Sequence, residues 1–304
     1  MEKRKIGSLE VSVVGLGCNN FGGRLDAEAT ARVAHAALDA GINFFDTADI
    51  YGGTRSEEYL GKALANRRDE VILATKFGGK IDEARRGAKP EYVRQAAEDS
   101  LRRLAMDHID LYQLHMPDAE TPIEDTLGAM NELVQAGKVR EIGCSNFSVE
   151  QLKAAEAAVK PGAARFLSLQ NHYSLLQREP ETNGVLAESE REGLGFLPYF
   201  PLANGLLTGK YRQGQLLPEG TRLNADSKHW VNDANLAKVE GLIAFAEERG
   251  HTILELAFAW LLSRPVVSSV IAGATKTEQI DENAGAANWK LTPDEVAKIE
   301  AIVA

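Results

Sequence analysis

The sequence predicts an α/β fold, a (β/α)8 barrel of the TIM type, and three observations carry this prediction. Short apolar runs alternate with longer segments of helical period, which is typical of βα units around a parallel sheet. Eight such units follow one another within 304 residues. The first strand runs into GLGCNNFGG, which lacks a clean GxGxxG followed by a helix, so an open Rossmann sheet is disfavoured. We expect one barrel domain over residues 1–304.

The predicted strands share the length and composition of buried parallel strands. They cover residues 13–17, 43–46, 71–76, 109–115, 141–144, 166–170, 195–199 and 268–273. Between them, residues 27–41, 90–104 and 123–137 carry apolar side chains at helical spacing. Gly41 and Gly137 close two of these helices, and Pro90 begins the third.

Three further segments extend the repeat. Residues 3–13 alternate around Gly7 and Ser8 like a β-hairpin, which we expect to plug the bottom of the barrel. Residues 203–233 are too long and polar for an ordinary βα loop and predict a binding loop over the mouth. Thr292 is the expected N-cap of an extra C-terminal helix.

Composition excludes several classes of function. The net charge is −10 with scattered basic residues, which argues against a nucleic-acid partner. No run reaches the roughly 18 apolar residues of a membrane span, and the first residues do not resemble a secretory signal, so we expect a cytoplasmic protein. Cys18 and Cys144 fit no metal-binding spacing and are expected to be reduced thiols, with no metal site.

Four polar residues follow or end the predicted strands. Asp46 ends the second strand with Tyr51 five residues later, Lys76 ends the third, and His115 ends the fourth. Each alone has an ordinary structural explanation, such as a cap, a solvated charge or a core histidine. In a barrel, however, the carboxyl ends of all strands surround one pocket, and a lysine at a buried strand end needs a partner such as Asp46.

Carbonyl reduction needs such a set. Hydride reaches carbon while a proton must reach the developing alkoxide oxygen. Because a phenol has a pKa near 10, we expect the Lys76 ammonium to lower the pKa of Tyr51 and make it a usable acid. His115 is expected to donate a hydrogen bond to the substrate oxygen.

The segments GINFFDTADIYGG, ATKFG, DLYQLHMPD, GCSNFS and PLANGLLTGKY resemble the aldo-keto reductase family, in order and at the expected strand ends. The resemblance extends from the first strand to Asn283, nearly the whole chain. It places Asp46, Tyr51, Lys76 and His115 on the catalytic tetrad of that family. It also implies NADPH, or less favourably NADH, bound in extended form across the barrel mouth.

The resemblance assigns a set of positions to the cofactor. Ser145, Asn146 and Gln170 would hold the nicotinamide carboxamide, and Tyr199 would stack on its ring. The remaining predicted cofactor residues are Cys18, Asn19, Pro201, Leu202, Ala203, Gly205, Lys210, Gly273, Thr275, Lys276, Gln279, Glu282 and Asn283.

Two stretches depart from the pattern of the best-known members. Gly273, Ala274 and Gln279 stand where those members carry lysine, serine and arginine for the 2′-phosphate. Lys276 is expected to replace that contact, which favours NADPH. Phe200 follows Tyr199 where a small hydroxyl residue is common.

The expected function is the NADPH-dependent reduction of small aldehyde, ketone or sugar carbonyls, with Phe21, Met116 and Trp230 as candidate pocket walls. Trp230 has an alternative role in packing within its own loop. Other functions left open are a sugar dehydrogenase working oxidatively and a regulatory subunit like the β subunits of potassium channels, although the short N-terminus favours a free enzyme. Metal-assisted hydrolysis lacks a ligand set. The sequence indicates neither the physiological substrate nor the oligomeric state.

Overall fold

The strands of the barrel lie where the sequence predicts them. The structure, a computed structural model, describes residues 1–215 and 230–304. Its strands are β1 (Lys3–Ile6), β2 (Leu9–Ser12), β3 (Val14–Gly17), β4 (Phe44–Asp46), β5 (Ile72–Phe77), β6 (Ile109–Leu114), β7 (Val139–Ser145), β8 (Phe166–His172), β9 (Gly195–Tyr199) and β10 (Val270–Gly273). Strands β3 to β10 form one parallel sheet in the order β10-β3-β4-β5-β6-β7-β8-β9. The predicted α/β barrel is confirmed.

The sheet closes between β9 and the residues that precede β10. The Phe196 amide donates to the Val266 carbonyl at 2.8 Å, and the Ser268 amide donates to the Phe196 carbonyl at 2.9 Å. Closure removes the free sheet edges and gathers the carboxyl ends of all eight strands around one mouth.

Helices surround the sheet and pack through their apolar sides. They are α1 (Ala27–Asp39), α2 (Arg55–Leu64), α3 (Pro90–Leu104), α4 (Ile123–Gln135), α5 (Val149–Ala158), α6 (Glu179–Thr182), α7 (Val185–Glu192), α8 (Asp233–Glu247), α9 (Ile253–Leu262), α10 (Thr277–Gly285) and α11 (Pro293–Val303). The three helices predicted from periodicity correspond to α1, α3 and α4. Short 3-10 turns add residues 68–70, 203–208 and 286–288.

The N-terminal hairpin fills the bottom of the barrel, as predicted. Ile6, Leu9 and Val11 are buried against Phe44, Ala74, Leu111, Leu197 and Ile271 from the barrel interior. The Arg4 guanidinium fixes the hairpin by donating to the backbone carbonyls of Leu262, Arg264 and Val267. With this end plugged, the cavity of the barrel opens at the carboxyl ends of the strands.

The C-terminal helix α11 begins at its expected cap. The Thr292 hydroxyl accepts from the Glu295 amide, and the Glu295 carboxylate accepts from the Thr292 amide at 2.8 Å, which makes a capping box. Of the predicted mouth loop 203–233, residues 216–229 lie outside the described residues. None of the helices in the described ranges is long and apolar enough to cross a membrane.

Candidate active site

A cleft of about 800 Å³ lies at the carboxyl ends of the strands. One end, called here the tetrad end, is lined by Asp46, Tyr51 and His115, with Lys76 buried directly behind them. The other, called the α10 end, contains Gly273, Thr275, Lys276, Gln279, Glu282 and Asn283. The 3-10 turn over residues 203–208 lies along the path between them. The cleft therefore offers an elongated site of the kind that an extended dinucleotide needs.

The tetrad end is organised by a buried ion pair. The Lys76 Nζ donates to Asp46 Oδ2 at 2.7 Å and to the Thr47 carbonyl at 2.8 Å, and the lysine is fully buried. Burial by itself would lower the pKa of Lys76, but the charge of Asp46 and the phenol of Tyr51 outweigh it, so that the pKa is raised. The lysine is therefore an ammonium at neutral pH.

Two glutamine side chains donate hydrogen bonds to the second oxygen of the Asp46 carboxylate. Gln170 Nε2 donates to Asp46 Oδ1 at 2.9 Å, and Gln113 Nε2 approaches the same oxygen at 3.3 Å. Both amides are buried in the barrel interior. Sequence reasoning assigned Gln170 to the cofactor alone and missed Gln113, although an amide within the apolar strand β6 was a visible signal that a polar partner lies inside the barrel.

Tyr51 lies next to this ion pair. The Lys76 Nζ is 5.2 Å from the centroid of the Tyr51 ring. The prediction that Lys76 lowers the pKa of Tyr51 below its usual value is wrong. Burial raises the pKa above its usual value, and although Lys76 lowers it, the charge of Asp46 raises it again. The phenol consequently keeps its proton at neutral pH.

His115 is the second polar group facing Tyr51. It follows β6 by one residue, and its ring lies 5.9 Å from the Tyr51 ring at an angle of 81°. Burial, reinforced by the charge of Lys76, lowers the pKa of His115 to about 3. The imidazole is therefore neutral at physiological pH, and its Nδ1 has no hydrogen-bond partner among the described residues. Such a ring can donate one hydrogen bond without carrying charge.

One aromatic ring of the cleft wall near His115 is that of Tyr199, which is backed by His172. Tyr199, at the end of β9, stacks on His172 at 5.2 Å and 16°, so one face of its ring is covered. Its hydroxyl donates to Asn146 Oδ1 at 2.8 Å, and Asn146 Nδ2 donates to the His115 carbonyl and to the Ser145 hydroxyl, both at 3.0 Å. These bonds hold Tyr199 flat at the edge of the cleft.

The 3-10 turn over residues 203–208 brings backbone close to the cleft. Gly205 has φ +102, and a Cβ there would lie 3.3 Å from the Lys210 side chain, so glycine suits this position. Burial, together with the charge of Arg24, lowers the pKa of Lys210. Arg24 was missed because an isolated arginine after two glycines carries no sequence signal.

At the α10 end, the side chains surround a helix N-terminus. Lys276 is the N-cap residue of α10, and Thr275 donates through both its amide and its hydroxyl to Gln279 Oε1, at 2.8 and 3.2 Å. Lys276, Arg24 and Lys210 have no ion-pair partner in the part of the chain that the structure describes. Three unpaired cations on one cleft of an acidic protein favour an anionic ligand.

Most predicted site residues lie at this cleft. Cys18, Asn19, Pro201 and Leu202 line it together with the groups above, whereas Lys76 and Ala203 lie directly behind its wall. The structure does not bring every predicted substrate contact to it.

Of the candidate pocket walls, Met116 is exposed at the rim. Phe21 is completely buried in the hydrophobic core and does not line the cleft, because the chain turns inward after Cys18. Trp230 packs edge-on against His172, with 5.6 Å between ring centroids, and is also absent from the lining. The prediction for Phe21 is not supported. Trp230 contacts His172 of β8, whereas its alternative role of packing within its own loop involves residues 216–229, which lie outside the described residues.

Comparison with known proteins agrees with this geometry. A sequence profile of the Aldo/keto reductase family matches residues 13–304. The chain is 37% identical, over 93% of its length and 90% of the relative's, to a probable voltage-gated potassium channel subunit beta of Oryza sativa subsp. japonica. It is 32% identical to the L-glyceraldehyde 3-phosphate reductase of Escherichia coli (strain K12), over 94% and 87% of the two chains.

The chain belongs to the aldo/keto reductase family. Among solved structures, a glycerol dehydrogenase from Gluconobacter oxydans superposes with a TM-score of 0.86 at 32% identity, over 99% of this chain and 95% of that one. The protein is therefore an oxidoreductase that acts on carbonyl or alcohol groups, and its family uses nicotinamide cofactors.

Proposed function

We propose that this reductase uses NADPH to reduce aldehyde and ketone carbonyls, including those of sugars, and that Tyr51 supplies the proton. The observation that carries the proposal is the buried Lys76–Asp46 pair, 2.7 Å long, beside a protonated phenol and a neutral imidazole at one end of a long cleft. Each group then has a distinct task in the addition of hydride and proton across C=O.

Tyr51 is suited to the proton step. Its raised pKa keeps the phenol protonated, as an acid must be before reduction begins. The adjacent ammonium of Lys76 stabilises the phenolate that remains after transfer, and Asp46 with its two glutamine donors keeps that ammonium in place. In the oxidative direction the same phenolate would act as the base.

His115 is suited to stabilising the substrate oxygen. Because its pKa is about 3, it donates a hydrogen bond as a neutral ring and does not compete with Tyr51 as the acid. The amide of Asn146 fixes the backbone of His115 through its carbonyl. A carbonyl oxygen placed between Tyr51 and His115 would meet both donors.

The residues of the cleft fit a nicotinamide dinucleotide phosphate. Tyr199 offers one free ring face, Ser145 and Asn146 offer polar groups beside it, and Gly205 leaves room for backbone close to a pyrophosphate. When bound, the reduced nicotinamide supplies the hydride. Arg24 and Lys210 would neutralise the pyrophosphate, and Lys276 at the N-terminus of α10 would favour the 2′-phosphate of NADPH.

The substrate class is supported by two kinds of observation. Ile50 and Met116 line the tetrad end of the cleft together with the aromatic ring of Tyr199, which suits a small molecule with an apolar face. The relatives include proteins named for L-glyceraldehyde 3-phosphate and for glycerol, both small polyhydroxy compounds.

A Tyr51→Phe variant tests the proposal. Removing the phenolic hydroxyl removes the acid but keeps the ring, so kcat for aldehyde reduction should fall by about 100-fold or more while the Kd for NADPH stays near that of the wild type. Steady-state NADPH oxidation and fluorescence titration of the cofactor measure the two quantities. Wild-type turnover in Tyr51→Phe would show that the proton comes from elsewhere.

A regulatory subunit is the second candidate function, because two relatives are named as probable potassium channel β subunits. Such a protein would bind cofactor and oxidise it once. Repeated cycles of NADPH oxidation with a panel of aldehydes support the enzyme, whereas a single stoichiometric turnover supports the regulatory function.

A further inference from the structure

Behind the tetrad lies a second buried carboxyl that the proposed mechanism does not use. Asp49 stands in the turn between Asp46 and Tyr51, and it is completely buried. Its side chain lies on the side of α2 and α3, where the Tyr92 hydroxyl donates to Oδ2 at 3.4 Å. Its Oδ1 has no hydrogen-bond partner among the described residues. An ionised carboxylate with one oxygen left unpaired would be costly in this position.

The neighbouring charges explain why Asp49 has no direct ion-pair partner among the described residues. The carboxylate of Glu57 on α2 takes the Arg103 guanidinium at 2.7 Å and the Thr75 hydroxyl at 2.6 Å, and Glu57 is also fully buried. One guanidinium therefore serves two buried carboxyls. Since the Arg103 guanidinium contacts Glu57 directly, Asp49 is left without a direct ion pair, and its protonated form is favoured.

We propose that Asp49, held as a neutral carboxylic acid, is a positioning residue for Tyr51, and that loss of its proton disturbs the turn that places the phenol. This inference rests on the proposed role of Tyr51. The coupling runs through the backbone: the Asp49 amide donates to the Lys76 carbonyl at 3.1 Å, and the Tyr51 amide donates to the Ala48 carbonyl at 3.2 Å. A shift of Asp49 would therefore be passed to the backbone of Lys76 and to the turn that carries Tyr51.

The groups that act on Asp49 have opposing effects, and burial decides the balance in favour of the protonated carboxyl below about pH 7. Burial first, and then the charge of Glu57, raise the pKa of Asp49 to about 7, while Arg103 opposes them. Tyr92 on α3 and Tyr112 on β6 complete the surroundings, and the pKa of each is raised, so both remain neutral. The pKa of His115 is about 3, and those of Lys76 and Tyr51 are raised, so none of these three titrates near pH 7.

The pH profile of kcat/KM for aldehyde reduction at saturating NADPH tests the proposal. As Asp49 ionises, we expect kcat/KM of the wild type to fall by at least about threefold between pH 6 and pH 8.5. Asp49→Asn, which is isosteric and cannot ionise, should show a flat profile over the same range.

Glu57→Gln provides a second, opposite-sense test. It leaves Arg103 without its own carboxylate, so the guanidinium would favour the ionised form of Asp49 and move the inflection to lower pH. Glu58→Gln is the matched control, because it removes a carboxyl from the next residue of α2 and should leave the profile unchanged. An inflection at the same pH in the wild type, Asp49→Asn and Glu57→Gln would overturn the proposal, as would a flat wild-type profile.

Thermal unfolding separates this inference from the proposed function. An aspartate whose pKa is raised in the folded state costs stability as pH rises from about 4 to about 7. The Tm advantage of Asp49→Asn over the wild type should therefore grow between pH 5 and pH 8. Should Tyr51 not be the acid, this shift in Tm would persist while the kinetic effect disappeared. An unchanged Tm difference would instead refute the proton on Asp49.

Discussion

The two ends of the cleft are built in opposite ways. At the tetrad end, Lys76 is completely buried and Asp46 is 3% exposed, and three side-chain donors satisfy the carboxylate. At the α10 end, Lys276 is exposed and has no ion-pair partner within the described ranges. The first end is assembled by the protein alone, whereas under the proposed function the second would gain its charge partner from the cofactor.

Because of this difference, we expect the two ends to affect different properties of the enzyme. Fixed donors and charges that need no reorganisation stabilise a transition state, so changes at the tetrad end should act on kcat and on stability together. Solvated cations gain their partner only in the complex, so changes at the α10 end should act on cofactor affinity and respond to salt. Substitutions at each end therefore test the comparison.

The largest effect is expected from Lys76→Met at the tetrad end. It removes the ammonium but leaves the Asp46 carboxylate buried, which should reduce the free energy of unfolding by about 3 to 5 kcal/mol and abolish measurable turnover. Denaturant unfolding and NADPH oxidation measure these changes. The double variant Asp46→Asn with Lys76→Met should regain much of the stability but none of the activity. If Lys76→Met were as stable as the wild type, Lys76 and Asp46 would not form the buried ion pair described above.

The tetrad end was the more predictable from sequence. Alternating βα units placed Asp46, Lys76 and His115 at strand ends, and a parallel barrel necessarily gathers strand ends at one mouth. The bounds of α3 were likewise predicted correctly from periodicity, because its apolar positions and the proline at its start are signals within the helix itself. These features depend on neighbours in sequence.

Features that depend on distant neighbours were missed. The direction of the Tyr51 pKa shift required knowing how deeply the phenol is buried, which outweighs the sign of the nearest charge. The two glutamines that donate to Asp46, Gln113 and Gln170, lie 67 and 124 residues away from it in sequence. Phe21 was taken as a pocket wall because it follows β3, but the turn after Cys18 directs it into the core.

A smaller effect is expected at the α10 end from Lys276→Ala. If this cation meets the 2′-phosphate, the KM for NADPH should rise by about tenfold, equivalent to about 1.4 kcal/mol, while the KM for NADH stays unchanged. Lys210→Ala is the matched variant, since a contact with the pyrophosphate should weaken both cofactors alike. Equal catalytic efficiency with NADPH and NADH, or a Lys276→Ala variant with unaltered preference, would contradict the assignment.

The smallest effect is expected far from both ends, from Thr292→Ala at the N-cap of α11. The hydroxyl accepts from the Glu295 amide, and its loss should lower the free energy of unfolding by about 1 kcal/mol. Because α11 does not line the cleft, kcat and the KM for NADPH should match the wild type. Equilibrium denaturation with parallel kinetics checks both. A drop in kcat with this modest loss of stability would mean that activity follows global stability. The loss of turnover expected of Lys76→Met would then not be evidence that Lys76 acts on Tyr51.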